Sequence, residues 1–257
     1  MDGTLSVRTP AELFGLTGRT ALVTGASSGL GVRFAEVLAA AGATVWITAR
    51  RAERLERLAE RNPAFRPFRA DVSDADDRAA LIEAIRAAGA TLDVLVNNAG
   101  ADNGAKPDAE TPEQFAGVLG TNLVGPFHLA QLATELGGEL SVINVSSILG
   151  LVSAAPLGSA GYAASKAGLL GLTRELAGHW GRRGVRVNAL APGWFRTEMN
   201  EELFADERSA KWVNRNTMLG RPGQASELDT ALLFLASPAS SYLTGQVLTV
   251  DGGWTAR

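Results

Sequence analysis

The sequence predicts an α/β fold: a doubly wound parallel sheet of about seven strands with helices on both faces. Short, continuously apolar runs alternate with longer amphipathic stretches from residue 20 to residue 253. Most of the apolar runs close on glycine or small polar residues, as buried strands do. No repeat, low-complexity stretch or interior linker divides the chain, and 257 residues suit one large domain.

The elements follow in order. TALVTG (20–25) reads as a buried strand, and Gly29 to Ala41 as a helix with Phe34, Val37 and Leu38 at helical spacing. ATVWITA (43–49) is a second strand. In ARRAERLERLAER (49–61), Leu55 and Leu58 share one helical face and arginines surround the rest. FRPFRADV (65–72), LDVLVNNAG (92–100), LSVINVSS (140–147), VRVNALAPG (185–193) and QVLTVDGG (246–253) supply the remaining strands. Helices are expected over about 74–88, 111–136, 160–180 and 225–236. Residues 1–15 read as an N-terminal arm. Residues 194–220 are rich in Trp, Phe and Met and interrupt the alternation, as an insertion does.

Composition excludes several functions. A net charge of −3 gives no general attraction to nucleic acid or anionic membrane. Without cysteine there are no disulfides or thiolate metal sites, and the only histidines, His128 and His179, lie far apart, so no metal is expected. No apolar run approaches the roughly 20 residues that span a bilayer. The start, MDGTLSVRTPAELFG, lacks the basic and apolar regions of a signal peptide, so a cytoplasmic protein is expected. A G-x-S-x-G elbow and a Walker Gly-Lys-Ser/Thr are both absent, which disfavours serine hydrolysis and nucleotide hydrolysis.

Two clusters carry chemistry. TGASSGLG (24–31) joins the first strand to its helix with glycines at 25, 29 and 31. Such glycines permit a tight turn and close approach, and free N–H groups at the helix start suit a pyrophosphate. The second strand ends in Ala49-Arg50-Arg51. Alanine cannot hold a ribose 2′-hydroxyl as an acidic residue would, whereas an arginine can meet the 2′-phosphate of NADP. The second cluster is GYAASKAG (161–168), which sets Tyr162 and Lys166 four residues apart among small side chains. In a helix both project from one face.

Together with ADV (70–72), NNAG (97–100), TNLVGPF (121–127), INVSS (143–147), APGWFRTEM (191–199) and LTGQVLTVDGG (243–253), these stretches resemble the short-chain dehydrogenases/reductases. The similarity is greatest to 3-oxoacyl-carrier-protein reductases and gluconate 5-dehydrogenase-like members. It runs from about residue 18 to 253 and implies a Rossmann-type sheet. It also implies roles: Tyr162 as general acid/base, Lys166 as its electrostatic partner, Ser147 as the carbonyl-orienting hydroxyl, Asn122 as a link to a water chain. Gly25, Ser27, Ser28, Gly29, Leu30, Gly31, Arg50 and Arg51 would meet the cofactor phosphates. Asp71 and Val72 would lie beside the adenine, and Asn98, Ala99 and Gly100 would line the cleft. Pro192, Gly193, Phe195 and Thr197 would cradle the nicotinamide. Trp194, Met199, Phe204 and Trp212 would form the substrate side of a lid over 194–220, with Asp102, Asn103 and Arg196 as polar additions.

Two departures from the family pattern stand out. Ser28 occupies a position where many NADP-preferring relatives carry a base. The stretch from Ser147 to Tyr162 is about two residues longer than usual, so either the loop 149–161 bulges or Ser146 is the functional hydroxyl. The resemblance implies an NADP(H)-dependent enzyme, with NAD possible, that interconverts a ketone and a secondary alcohol. A 3-oxoacyl or other hydrophobic ketone is the first expectation. An NAD(H)-linked sugar-acid or polyol dehydrogenase is the second, and a non-catalytic dinucleotide sensor or scaffold is the alternative of another class. Relatives of this kind are commonly tetramers, so a homo-oligomer is expected.

Overall fold

The computed structural model describes residues 7–153, 155 and 159–256. The expected bulge over 149–161 lies partly outside them. Strands β1 (Thr20–Thr24), β2 (Thr44–Ala49), β3 (Phe65–Arg69), β4 (Val94–Asn97), β5 (Leu140–Val145), β6 (Val185–Pro192) and β7 (Val247–Val250) form one sheet. Its order is β3-β2-β1-β4-β5-β6-β7, and every neighbouring pair is parallel. β1, β4, β5 and β6 are buried almost throughout. Covered on both faces, they read as largely apolar runs rather than as regular alternations. β3 is an edge strand, where Pro67 removes no hydrogen bond that the sheet needs.

The described α-helices are α1 (Pro10–Phe14), α2 (Gly29–Ala40), α3 (Ala52–Arg61), α4 (Ala75–Ala87), α5 (Pro112–Leu119), α6 (Gly125–Ala133), α7 (Ala160–Trp180), α8 (Glu201–Ala205), α9 (Glu207–Asn216) and α10 (Asp229–Ala236). They cover both faces of the sheet. On one, Phe34 and Leu38 of α2, Leu55 of α3 and Leu232 of α10 pack on Val23, Val96 and Ile143. On the other, Leu81 and Ile85 of α4, Leu129 of α6 and Leu176 of α7 pack on Leu22, Leu95 and Val142. Successive strand residues serve opposite layers because side chains alternate along a strand. No helix among the described residues is long and apolar enough to cross a membrane.

The structure refines three expectations. Within the N-terminal arm, α1 is a formed helix, started by Pro10 and a capping box between Thr9 and Glu12, and Leu16 just beyond it is buried. The expected helix over 111–136 is divided by a π-helical turn, Gly120–Val124. Pro126 has no N–H for the carbonyl of Asn122 four residues back, and the helix widens there. The expected helix from 225 begins as a 3₁₀ turn, Ala225–Leu228, before α10.

Candidate active site

The glycine loop closes β1 onto α2. Gly25 has φ +67°, and a Cβ there would lie 2.8 Å from Ala99 Cα. A Cβ at Gly31 would collide with the Gly25 carbonyl oxygen and lie 2.6 Å from Asn98 Nδ2. Only glycine lets strand, loop and helix approach this closely. Ser28 is the N-cap of α2 but makes no side-chain capping bond. Its Oγ accepts instead from Arg51 Nη2 at 2.8 Å, while Ser27 Oγ accepts from Arg51 Nε at 3.1 Å and Nη2 at 3.0 Å. The cation that the sequence lacks at position 28 is thus delivered from the end of β2. An open helix start beside a guanidinium is an anion-binding arrangement.

The other strand ends complete a cleft of about 300 Å³. Thr24 Oγ1 accepts from the backbone N–H groups of Asn98 at 3.0 Å and Ala99 at 2.9 Å, tying the β4 end to the β1 end. At β6, a Cβ on Gly193 would lie 2.6 Å from Asp251 Cα, so that turn is also confined to glycine. Phe195 is buried and bridges to Gly223. Thr197 lies opposite Gly29, with its Cβ 3.5 Å from where a Gly29 Cβ would stand. All the residues expected to meet a cofactor, including Leu30, Arg50, Asp71, Val72, Gly100 and Pro192, line this one cleft.

Ser147, Tyr162 and Lys166 line the same cleft. Tyr162 and Lys166 sit one turn apart in the first half of α7, whose N-cap is Ser159. Lys166 is buried; its Nζ donates to the Val145 carbonyl at 2.8 Å and lies 5.5 Å from the Tyr162 ring centroid. Ser146 is buried too, and its Oγ donates to the Lys166 carbonyl at 2.9 Å. That leaves Ser147 as the serine beside the phenol. Its Oγ also accepts from Leu149 N at 3.1 Å, which fixes the hydroxyl. Asn122 stands behind the cleft wall. Its Oδ1 accepts from Ala101 N at 2.7 Å, and its Nδ2 donates to Ala101 O and Ser165 Oγ, both at 2.9 Å. A Cβ on Gly100 would lie 3.6 Å from Lys166 Nζ and 3.7 Å from Asn122 Oδ1, so these groups meet at a point where the chain carries no side chain.

The electrostatics run against the acidified phenol that an adjacent lysine leads one to expect. Burial pushes the Tyr162 phenol up to about 12; hydrogen bonding with Ser147 pulls it down and the Asp102 carboxylate raises it further. Burial likewise pulls Lys166 down to about 8. Tyr162 is half-buried, and loss of hydration is the largest influence on its phenol. Tyr162 and Tyr242 are the only tyrosines. A Tyr242→Phe protein without cofactor will therefore develop phenolate absorbance near 295 nm only as the pH approaches 12. A midpoint near or below the free-phenol value of about 10 would contradict this desolvation.

A family model described as "Enoyl-(Acyl carrier protein) reductase" matches residues 25–255, nearly the whole chain. The chain belongs to the short-chain dehydrogenase/reductase family. It is an enzyme, an oxidoreductase acting on CH–OH groups. It is 38% identical to gluconate 5-dehydrogenase of Gluconobacter oxydans, over 95% of this chain and 97% of that protein. It is 39% identical to the L-tagatose-forming galactitol 2-dehydrogenase of Cereibacter sphaeroides, over 95% and 97%. The crystal structure of a gluconate 5-dehydrogenase from Burkholderia cenocepacia in complex with NADP and tartrate superposes with a TM-score of 0.91. Identity to it is 36%, covering 97% of this chain and 100% of that one.

In this short-chain dehydrogenase/reductase the expected substrate residues separate. Met199 lines the cleft and is 56% exposed. Trp194 and Trp212 instead pack edge-on against Trp254, with centroids 5.6 and 5.0 Å from it. Phe204 lies under the Arg196 guanidinium at 5.1 Å. Asp102 accepts a 2.6 Å hydrogen bond from Ser159 Oγ and is near enough to Tyr162 to act on its phenol. Asn103 turns away, donating to Glu110 Oε1 at 2.8 Å. One cleft residue that the sequence did not single out is Glu198, which pairs with Arg51 at 3.1 Å and Arg54 at 2.7 Å. Its place next to Thr197 was the only sequence signal, and nothing local shows that it reaches arginines nearly 150 positions earlier.

Proposed function

We propose that the enzyme transfers a hydride between NADP(H) and a ketone or secondary alcohol on a polyhydroxylated substrate, with Tyr162 as the general acid/base. The observation that carries this reading is the convergence of Tyr162, Ser147 and Lys166 in the same cleft as the Arg51–Ser27–Ser28 anion site. The lining fits the cofactor: α2 lacks a side-chain cap, leaving its first N–H groups for a pyrophosphate, and Gly29 presents only a hydrogen to the cleft. Arg51, Ser27 and Ser28, with Arg50 nearby, would hold the 2′-phosphate, Asp71 and Val72 the adenine, and Thr197 the carboxamide. The bound nicotinamide supplies or accepts the hydride.

The chain's own residues handle the proton. Ser147 hydrogen-bonds the substrate oxygen and holds it near Tyr162. The phenol gives that oxygen a proton during reduction and takes it back during oxidation. Lys166, anchored on Val145, keeps a cation on the side where phenolate charge develops. Asn122 braces Ala101 and α7 through Ser165, which fixes the back wall.

Asp102 favours a hydroxyl-bearing substrate: one carboxylate oxygen is bonded to Ser159, and its remaining lone pairs can accept from substrate hydroxyls. The sugar-acid and polyol dehydrogenases among the relatives support the same class. A second reading, a 3-oxoacyl or other hydrophobic ketone, is favoured by exposed Met199 at the cleft, and in it the segment 194–220 would act as a substrate lid. An absorbance screen with NADPH and NADH over polyols, sugar acids, 3-oxoacyl thioesters and cyclic ketones tests both. Turnover confined to apolar ketones would replace the first reading with the second. Arg51→Gln should weaken NADPH binding by about tenfold, since a charge-assisted pair to phosphate is lost, and leave NADH nearly unaffected. Equal losses would remove Arg51 from the phosphate site.

We also infer a homo-oligomer, a tetramer by family habit. Val124 and Phe127 at the α5–α6 junction are 52% and 39% exposed and would be covered in such an assembly. Light scattering at micromolar concentration should give a multiple of 26.8 kDa, and a mass near 26.8 kDa itself would refute it.

A further inference from the structure

We propose that Glu198 sets the preference between NADP(H) and NAD(H), because its carboxylate occupies the arginine site that a 2′-phosphate needs. The inference rests on the dinucleotide-binding reading above. Arg51 Nη1 and Nη2 each lie 3.1 Å from Glu198 Oε2, and Arg54 Nη1 lies 2.7 Å from Oε1. Arg51 meanwhile holds Ser27 and Ser28. Two guanidinium groups flanked by two serine hydroxyls, converging on one anion, make a donor set suited to a phosphate. In this structure the anion is a side chain from the opposite wall of the cleft.

Charge and exposure make it displaceable. Hydrogen bonds from Arg54, Ser28 and Arg51 hold the Glu198 carboxyl down to about 2, so it is an anion at every working pH. Yet the Glu198 side chain is 48% exposed, and Arg51 and Arg54 are 42% and 38% exposed. Ion pairs this open to water are weak. A doubly charged phosphate can therefore displace the carboxylate. NAD(H) brings no 2′-phosphate, so Glu198 can stay and accept from the ribose 2′-hydroxyl, the task Ala49 cannot perform at the end of β2. Glu198 also begins the 3₁₀ turn, Glu198–Asn200, that leads into α8 and α9. Its release by NADP(H) would free the start of that segment.

The test compares wild type, Glu198→Gln and Glu198→Asp by calorimetric or fluorescence titration with NADPH and NADH, and with adenosine 2′,5′-bisphosphate and 5′-AMP as probes without nicotinamide. Glu198→Gln should tighten NADPH and the bisphosphate by about fivefold, without tightening NADH or 5′-AMP. Glu198→Asp, which keeps the charge, should stay nearer wild type. Unchanged affinities in Glu198→Gln, or equal gains for partners with and without a 2′-phosphate, would overturn the inference while leaving the dinucleotide reading intact. Failure of the wild type to bind either dinucleotide would overturn that reading and this inference with it.

Discussion

Tyr162→Phe will lower turnover by about 10²- to 10⁴-fold while leaving NADPH affinity and melting temperature close to wild type. The substitution removes one hydroxyl and keeps the ring. The ring's contact with Lys166 Nζ, 5.5 Å away, survives, as does the lysine's hydrogen bond to Val145. What disappears is the phenol hydroxyl, which shares the cleft with Ser147 and hydrogen-bonds with it. Lys166 cannot take over, because its Nζ is turned to a backbone carbonyl. The measurement is steady-state kinetics beside a cofactor titration and a thermal melt of the same preparation. Turnover within tenfold of wild type would remove Tyr162 from the proton-transfer role.

Gly31→Ala will damage both stability and cofactor binding. Its methyl would collide with the Gly25 carbonyl oxygen and stand 2.6 Å from Asn98 Nδ2, so the loop must shift away from the β4 end. Overpacking of this kind costs about 1–3 kcal/mol, and the displaced atoms are those around the α2 start. The denaturation midpoint should fall, and NADPH affinity should drop by at least about tenfold. Gly178→Ala is the contrasting control. Gly178 is exposed in α7, and a Cβ there meets nothing within 4 Å. Replacing it should raise stability by up to about 1 kcal/mol through helix propensity. If the two variants behaved alike, the tight packing at Gly31 would not matter.

Much of this could be read directly along the chain. Largely apolar runs marked the buried strands β1, β4, β5 and β6, because strands covered on both faces have no polar side to hide them. The four-residue interval between Tyr162 and Lys166 fixed their common helix face, and the glycine spacing fixed the turn before α2. These are local consequences of periodicity and of side chains that are absent.

The folded arrangement decided what depends on distant pairs. Ser146 and Ser147 are adjacent and chemically alike; only the β5–α7 packing, with Ser146 bonded to Lys166 O, leaves Ser147 to the phenol. Arg50 and Arg51 were equivalent in sequence, and it is the position of the α2 start that gives Arg51 both serines. Trp194 and Trp212 share an apolar segment with Met199, yet they are drawn to Trp254, near the end of the chain, while Met199 lines the cleft. Glu198 reaches Arg54 across 144 positions. Sequence by itself determined the strands, the turns and the shared helix face of Tyr162 and Lys166, because each follows from neighbours a few residues apart. Tertiary structure alone decided which hydroxyl, which guanidinium and which carboxylate share the cleft, because Coulomb forces and desolvation act through space rather than along the chain.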